Sequence, residues 1–317
     1  MTYETFKDEI VIFLTSRLGA SASISLEPLA KNNGIVLDGL IISQGSINIA
    51  PAIYLNPFYE DYISGTPFSE ICESILSIYY RHRPEKDIDT AFFTDVNRVR
   101  DHLIYKLIHY ERNAALLKEV PHQKFLDLAI VYCLYIRMDP IVGNATILIR
   151  NQHLEQWGIS PSALHALAEA NTPRILPADF RPMEEVLASL PFHAGPLPDH
   201  APGRISEAYV LSNDTGSGGA AAILYPGLLA DYANRLHTDF LILPSSIHEM
   251  ILLPVKSPDE FPSASEVVRE VNKTDVLFGE VLADHAYYYH RESGRVLERP
   301  CTQERYFAES SISYSCS

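Results

Sequence analysis

The sequence has few of the residues that mark disulfide frameworks and metal fingers. Four cysteines occur in 317 residues, and none is spaced as a C-x-x-C pair. Cys72 and Cys133 lie in apolar runs, where an unpaired cysteine behaves as a small core residue. Because stable disulfides belong to oxidising compartments, this cysteine usage predicts a cytoplasmic protein.

Basic residues are also scarce, with 25 Lys and Arg against 40 Asp and Glu and a formal net charge of −15. Charged residues make up only 21% of the chain, so the imbalance is a shortage of bases more than a surplus of acids. Contacts to a nucleic-acid backbone need clustered Lys and Arg. We therefore expect no direct binding to nucleic-acid phosphates.

Long apolar segments are missing. Residues 1–18 carry five charged side chains and no uninterrupted apolar core, which argues against a secretory signal peptide. No stretch approaches the roughly 20 apolar residues that a membrane-spanning helix needs. The sequence thus predicts a soluble protein with no membrane partner.

Hydrophobic periodicity predicts an α+β fold built from successive antiparallel β-meanders, each packed with helices. We expect an N-terminal α-β-β-β-α unit (1–85), a central β-meander with helices (86–190), a C-terminal α+β unit (207–300) and a flexible tail (301–317). The predicted helices cover residues 3–18, 68–81, 114–119, 151–157, 161–170, 226–236 and 264–272. The predicted strands cover residues 23–29, 35–44, 47–54, 103–111, 125–137, 144–150, 208–213, 219–225, 240–243 and 247–255, with a final hairpin around 280–297.

Five segments together, in their order and spacing, resemble an uncharacterised bacterial family, a domain of unknown function common in anaerobic gut Gram-positive bacteria. These segments are residues 125–131, 143–149, 209–213, 243–249 and 268–272. The resemblance runs from the first helix to Tyr289 and implies no established activity. Members that resemble this chain often lie near mobile-element genes, which implies an anti-restriction role as one alternative.

Each common catalytic motif is either absent from the sequence or lacks a residue that its chemistry requires. No G-x-S-x-G elbow is present, and His248-Glu249 cannot start an H-E-x-x-H zinc motif because position 252 is leucine. The glycine run at 215–219 lacks the lysine of a phosphate-binding P-loop. We predict no catalytic residue, no metal ligand and no cofactor.

The best candidate site is the segment Pro244-Ser-Ser-Ile-His-Glu249, which interrupts two strongly apolar strands. Polar groups inside such a run cost stability unless they form a turn or contact a ligand. Both interpretations stay open, the structural one being a tight turn whose serines bond the backbone. The candidate binding residues are Ser245, Ser246, His248, Glu249, Asn213 and Asn144.

These observations favour a binding or interaction protein that is not an enzyme, with a protein or small-molecule partner and with homo-oligomerisation as a further option. The first alternative is a hydrolase-like enzyme that uses His248 as a base, with Glu249 or Asn144 as its orienting partner. The second is an acidic protein that mimics DNA, which would need carboxylates at regular spacing along one face.

Overall fold

A computed structural model of the protein describes residues 1–44, 52–83, 91–137, 144–189 and 207–300. It shows the expected α+β fold with antiparallel sheets. The predicted tail 301–317 and most of the predicted strand 47–54 lie outside the described residues, as do the proposed boundaries near 85 and between 190 and 207. No helix of the described ranges is long and apolar enough to cross a bilayer.

The chain separates into two compact units, Met1–Arg100 with Tyr135–Ile147 and Asp101–Leu134 with Leu148–Ser317. The first unit holds an antiparallel sheet in the order β1-β2-β3, with helices around it. Its elements are α1 (Tyr3–Leu18), β1 (Ala22–Ala30), β2 (Val36–Gln44), β3 (Ala52–Tyr54), α2 (Leu55–Ile63), α3 (Phe68–His82), α4 (Ala91–Thr94) and α5 (Val96–Val99).

Helix α1 shows why the local sequence decides this first element. The side chain of Thr2 accepts a hydrogen bond from the Thr5 amide, and Gly19 ends the helix with a φ of 74°. Phe6, Ile10 and Leu14, one helical turn apart, are fully buried in the core of this unit. The helix predicted over 3–18 is confirmed.

The second unit contains a sheet in the order β13-β12-β10-β11-β9-β8 and a further sheet in which β6 pairs with β4 and β5. Its strands are β4 (Leu103–His109), β5 (His122–Phe125), most of β6 (Leu128–Ile136), β8 (Ala178–Pro182), β9 (Tyr209–Asn213), β10 (Phe240–Ser246), β11 (Glu249–Pro254), β12 (Tyr287–His290) and β13 (Arg295–Leu297). Strand β7 (Ala145–Leu148) belongs to the first unit except for its last residue. The helices of the second unit are α6 (Ala114–Leu117), α7 (Asn151–Trp157), α8 (Pro161–Ile175), α9 (Met183–Ser189), α10 (Leu228–Leu236) and α11 (Phe261–Thr274).

Strand β6 is the central strand that the apolar run at 125–137 predicts, since Leu128 to Tyr135 are all buried. The run is not one strand, however. Phe125 ends β5 and pairs with Leu128, so Leu126 and Asp127 form a two-residue hairpin turn. Leu126 has a φ of 56°, a conformation that costs a non-glycine residue energy.

The strand predicted over 219–225 is wrong. Residues Gly219–Leu224 form a 3-10 helix that follows Gly218, whose φ is 66°. A Cβ at Gly219 would lie 2.2 Å from Ser212 Oγ and 2.5 Å from the carbonyl oxygen of His248. The three alanines that follow have little strand propensity, and only glycine allows this close approach of the segment to the sheet.

Candidate functional site

The segment 244–249 forms the tip of the β10–β11 hairpin. Strand β10 extends through Ser246 and the two-residue turn is Ile247-His248, whereas the predicted strands 240–243 and 247–255 leave the turn at residues 244–246. Ser246 Oγ accepts a hydrogen bond from the His248 amide at 3.0 Å, and Ser245 Oγ donates to Glu249 Oε1 at 3.0 Å. The serines therefore engage their own hairpin.

His248 is held on both sides of its ring. Nδ1 accepts a hydrogen bond from the Gly218 amide at 3.1 Å, and Nε2 lies 3.7 Å from Glu280 Oε1. Its carbonyl oxygen accepts a hydrogen bond from Ser212 Oγ at 2.8 Å. Because the lone pair of Nδ1 is occupied, the neutral ring carries its proton on Nε2 and offers no acceptor to a serine hydroxyl. This geometry does not support the hydrolase alternative.

The two asparagines lie in different parts of the chain. Asn213 is 3% exposed and closes the turn after β9, since its Nδ2 donates to the Ser217 carbonyl and its Oδ1 accepts from the amide and hydroxyl of Thr215. Asn144 is exposed, directly before β7, and belongs to the first unit. A binding role for the six residues stays a prediction.

A more unusual group of polar contacts surrounds Asp127, at the tip of the strained β5–β6 turn. Its carboxylate accepts a hydrogen bond from Tyr287 at 2.6 Å and faces His285 Nε2 at 3.0 Å. The other ring nitrogen of His285 lies 2.8 Å from the Ala286 carbonyl oxygen. Both neighbours of the ring are acceptors, so the arrangement is satisfied by an imidazolium beside a carboxylate.

The pKa shifts follow from these contacts. The hydrogen bond to Asp127 raises the pKa of His285 and outweighs the burial that opposes it. Burial disfavours the Asp127 carboxylate, but the hydrogen bonds from His285 and Tyr287 hold its pKa below the ordinary value. Burial raises the pKa of Tyr287, so its hydroxyl stays a donor. In this imidazolium form neither ring nitrogen of His285 has a lone pair for general-base catalysis.

Next to His285, a cavity of about 310 Å³ opens with basic side chains along its wall. It is lined by Arg112, Arg269, Asn272, Lys273, Phe278, Val281 and Asp284. Three of these seven side chains are cations and one is a carboxylate, which reverses the charge balance of the whole chain. Positive charge therefore gathers along the wall of this cavity.

Arg112 is the most constrained of the three cations. One guanidinium nitrogen, Nη2, pairs with Asp284, and the guanidinium carbon lies 5.5 Å from the centre of the Phe278 ring. The other nitrogen, Nη1, is buried and has no hydrogen-bond partner in the described structure. A buried donor without an acceptor costs free energy, so this nitrogen is an unsatisfied polar group beside the cavity.

Helix α11 supplies the remaining polar wall. Arg269, Asn272 and Lys273 are three and four residues apart and so share one helix face. Asn272 Nδ2 donates to Asp284 Oδ1 at 3.0 Å and to the Ala283 carbonyl at 2.8 Å. This spacing is present in the sequence, but nothing local connects it to Arg112, which lies more than 150 positions earlier.

The candidate turn and the basic cavity share one connecting segment. The amide of Ile247 donates to the Glu280 carbonyl oxygen at 2.8 Å, and Glu280 ends the short 3-10 turn that begins at Phe278. The hairpin tip therefore does not line the cavity but holds the segment that does. Within the described residues, no three His, Cys, Asp or Glu side chains are grouped as metal ligands.

Comparison with known proteins gives a family without an activity. The profile of a family of unknown function, DUF5688, matches residues 3–291. No curated protein and no solved structure matches the chain. Since this match spans both compact units, the chain belongs to the family of unknown function DUF5688.

Proposed function

We propose that this protein is a binding protein, not an enzyme, and that its basic cavity takes the phosphate or carboxylate group of a small-molecule partner. The observation that carries the proposal is the meeting of Arg112, Arg269 and Lys273 around one concave surface. A chain with a net charge of −15 concentrates three cations there against a single carboxylate, Asp284.

The arrangement of donors suits an anion with several oxygens. Arg112 and Arg269 bring two guanidinium groups to the wall, and one guanidinium can bind two oxygens of a carboxylate or phosphate group at once. Lys273 adds a flexible point charge. Its surface pair with Glu270, at 2.8 Å, is weak enough for a bound anion to replace it.

The contacts around Asp127 support the cavity by fixing the chain that enters it. Asp284 directly precedes His285, and the His285 and Tyr287 side chains are both held by Asp127. A site whose groups are already positioned loses less entropy when a ligand binds. We assign His285, Tyr287 and Asp127 a positioning role and not a chemical one.

The hairpin tip has a related role in this proposal. Through Glu280, His248 and Ile247 hold the segment that carries Phe278 beside Arg112. This role explains why polar residues lie between the two apolar strands, and it does not require that they bind a ligand.

We also propose a cytoplasmic location, because Cys72 and Cys133 are buried free thiols.

Calorimetric titration with inorganic phosphate tests the proposal. The double variant Arg269→Gln/Lys273→Gln removes two exposed cations of the cavity. The matched control Arg181→Gln/Lys256→Gln removes one Arg and one Lys from surface ion pairs elsewhere in the same unit. We expect phosphate to bind the wild type and the control alike, and the cavity variant at least tenfold more weakly. Acetate is titrated in the same way as a carboxylate probe. The proposal is overturned if all three proteins bind phosphate equally, or if the wild type binds neither phosphate nor acetate.

A further inference from the structure

A second, larger cavity lies elsewhere in the second unit and has a different chemistry. Its volume is about 500 Å³, within the range of sites for small organic ligands. Three segments meet there, namely the β5–β6 turn, residues 223–230 at the start of α10, and the β12–β13 hairpin. It shares no lining residue with the basic cavity.

The wall of this cavity combines polar and apolar atoms in similar amounts. Tyr225 and Leu229 are 6% and 4% exposed, and Tyr289 is 2% exposed, so each shows only an edge to the open space. The hydroxyl of Tyr225 is already used, since it donates to the Leu176 carbonyl at 2.7 Å. The apolar contact area that a ligand can reach comes instead from Leu126, Leu224 and Val296, which line the cavity and are half-buried.

The charge of the cavity is one-sided. Lys124 and Arg295 both line it and are exposed, while no Asp or Glu is among its lining residues. Neither cation forms an ion pair with a carboxylate of the described residues, although Lys124 Nζ lies 5.0 Å from the centre of the Tyr110 ring. Two cations beside a wall that is partly apolar are complementary to a molecule with an anionic head and an apolar body.

The backbone that shapes this wall is strained at one position. Leu126 lines the cavity with a φ of 56°, in a turn position where glycine or asparagine would adopt the same conformation more easily. The next residue, Asp127, is fixed by His285 and Tyr287. Such strain persists where the surroundings enforce it and is typical of ligand sites, and here it places a leucine side chain in the wall.

From this geometry we propose that the cavity is a second binding site, which takes an amphipathic organic anion. Its aromatic or aliphatic body lies against Leu126, Leu224 and Val296, and its carboxylate, sulfonate or phosphate head is bound by Lys124 and Arg295. The site is independent of the basic cavity, so the two proposals stand or fall separately.

The fluorescent probe 8-anilino-1-naphthalenesulfonate, which has an aromatic body and one anionic head, tests this site in the full-length protein. Lys124→Gln/Arg295→Gln removes both head-binding cations from the surface. Ala230→Trp fills the cavity from α10, where Ala230 lines it. Far-UV circular dichroism and thermal unfolding check that each variant is folded.

We expect a saturable fluorescence increase with the wild type, a tenfold or greater loss of affinity in Lys124→Gln/Arg295→Gln, and loss of the signal in folded Ala230→Trp. The variant Arg269→Gln/Lys273→Gln, in the other cavity, should bind the probe as the wild type does. Octanoate should displace the probe, and octylammonium should not. The proposal is overturned if Lys124→Gln/Arg295→Gln binds the probe as tightly as the wild type, or if the wild type gives no saturable signal. Because both of its substituted residues are exposed, this variant decides the question even if Ala230→Trp does not fold.

Discussion

The ring of His285 lies between two oxygen atoms, one from Asp127 and one from the Ala286 backbone, and both can only accept hydrogen bonds while Asp127 is ionised. Folding thus favours the protonated ring and the ionised carboxylate together. The same contact fixes the residue that follows Asp284 in the wall of the basic cavity. The proton on the His285 ring therefore affects both the stability of the second unit and the geometry of its basic cavity.

The pH dependence follows from the directions of the two shifts. The raised pKa of His285 means that its contribution to stability is complete below the unfolded value of 6.5 and is lost as pH rises through the folded pKa. The lowered pKa of Asp127 means that its contribution is present above 3.8 and is lost as pH falls through the folded pKa. The pair stabilises the protein most between these limits.

Nuclear magnetic resonance of the His285 ring measures this directly. We expect its titration midpoint to lie above 6.5 in the wild type and to fall in Asp127→Asn, which keeps the shape of the side chain but removes its charge. The difference in unfolding free energy between the wild type and His285→Gln should shrink as pH rises from 6 to 9. An unchanged midpoint in Asp127→Asn would show that the ion pair does not form in solution.

At the scale of elements, the β10–β11 hairpin acts through the turns beside it. Its tip holds Gly218, at the start of the 219–224 helix, and Glu280, in the turn that carries Phe278. Gly218 is buried, so its amide depends on the acceptor that His248 Nδ1 provides. The hairpin is therefore a support for two neighbouring segments.

We expect His248→Ala to lower the unfolding free energy by about 1–3 kcal/mol, because it leaves the buried Gly218 amide without an acceptor. His248→Asn offers a side-chain oxygen near the same place and should recover part of the loss. Urea unfolding of the three proteins measures the difference. If His248→Ala is as stable as the wild type, the histidine is not the support that the contacts indicate, and its predicted role in binding would gain weight.

At the scale of the whole molecule, the two cavities stand against a strongly acidic background. A net charge of −15 repels itself, and salt screens that repulsion over a Debye length of about 10 Å at 0.1 M. Screening should stabilise the fold while it weakens the attraction of anions to the exposed Arg269 and Lys273. Bound phosphate and general salt thus affect stability by separable routes.

Thermal unfolding at constant ionic strength separates them. Sodium phosphate should raise the melting temperature of the wild type above its value in sodium chloride. When phosphate is at ten times its Kd, its binding adds about 1.4 kcal/mol to the free energy of unfolding. Arg181→Gln/Lys256→Gln should keep this extra stabilisation, and Arg269→Gln/Lys273→Gln should keep only the general effect of phosphate as a kosmotrope. If phosphate stabilises both variants by the same amount, the stabilisation is an effect of phosphate on the solvent and not of binding in the cavity.

The local sequence was enough to predict an element where its hydrophobic pattern matches the faces that are buried in the fold. The spacing of Phe6, Ile10 and Leu14, with Gly19 after them, predicts α1. The apolar run at 125–137 predicts a strand buried on both faces, as β6 is, although the turn at Leu126 and Asp127 was not predicted. Local pattern failed at 219–224, because the reason for the glycine there is the nearby Ser212 and His248 backbone, which no window of sequence contains.

The sequence by itself determined the α+β class, the shortage of basic residues, the positions of most helices and strands, and membership of a family of unknown function. Only the tertiary structure brought Asp127 to His285, and Arg112 to Asp284 and the α11 face. Periodicity reports which face of an element is buried, whereas a cavity depends on which elements become neighbours. That choice is made by contacts between elements that lie more than 150 residues apart in the chain.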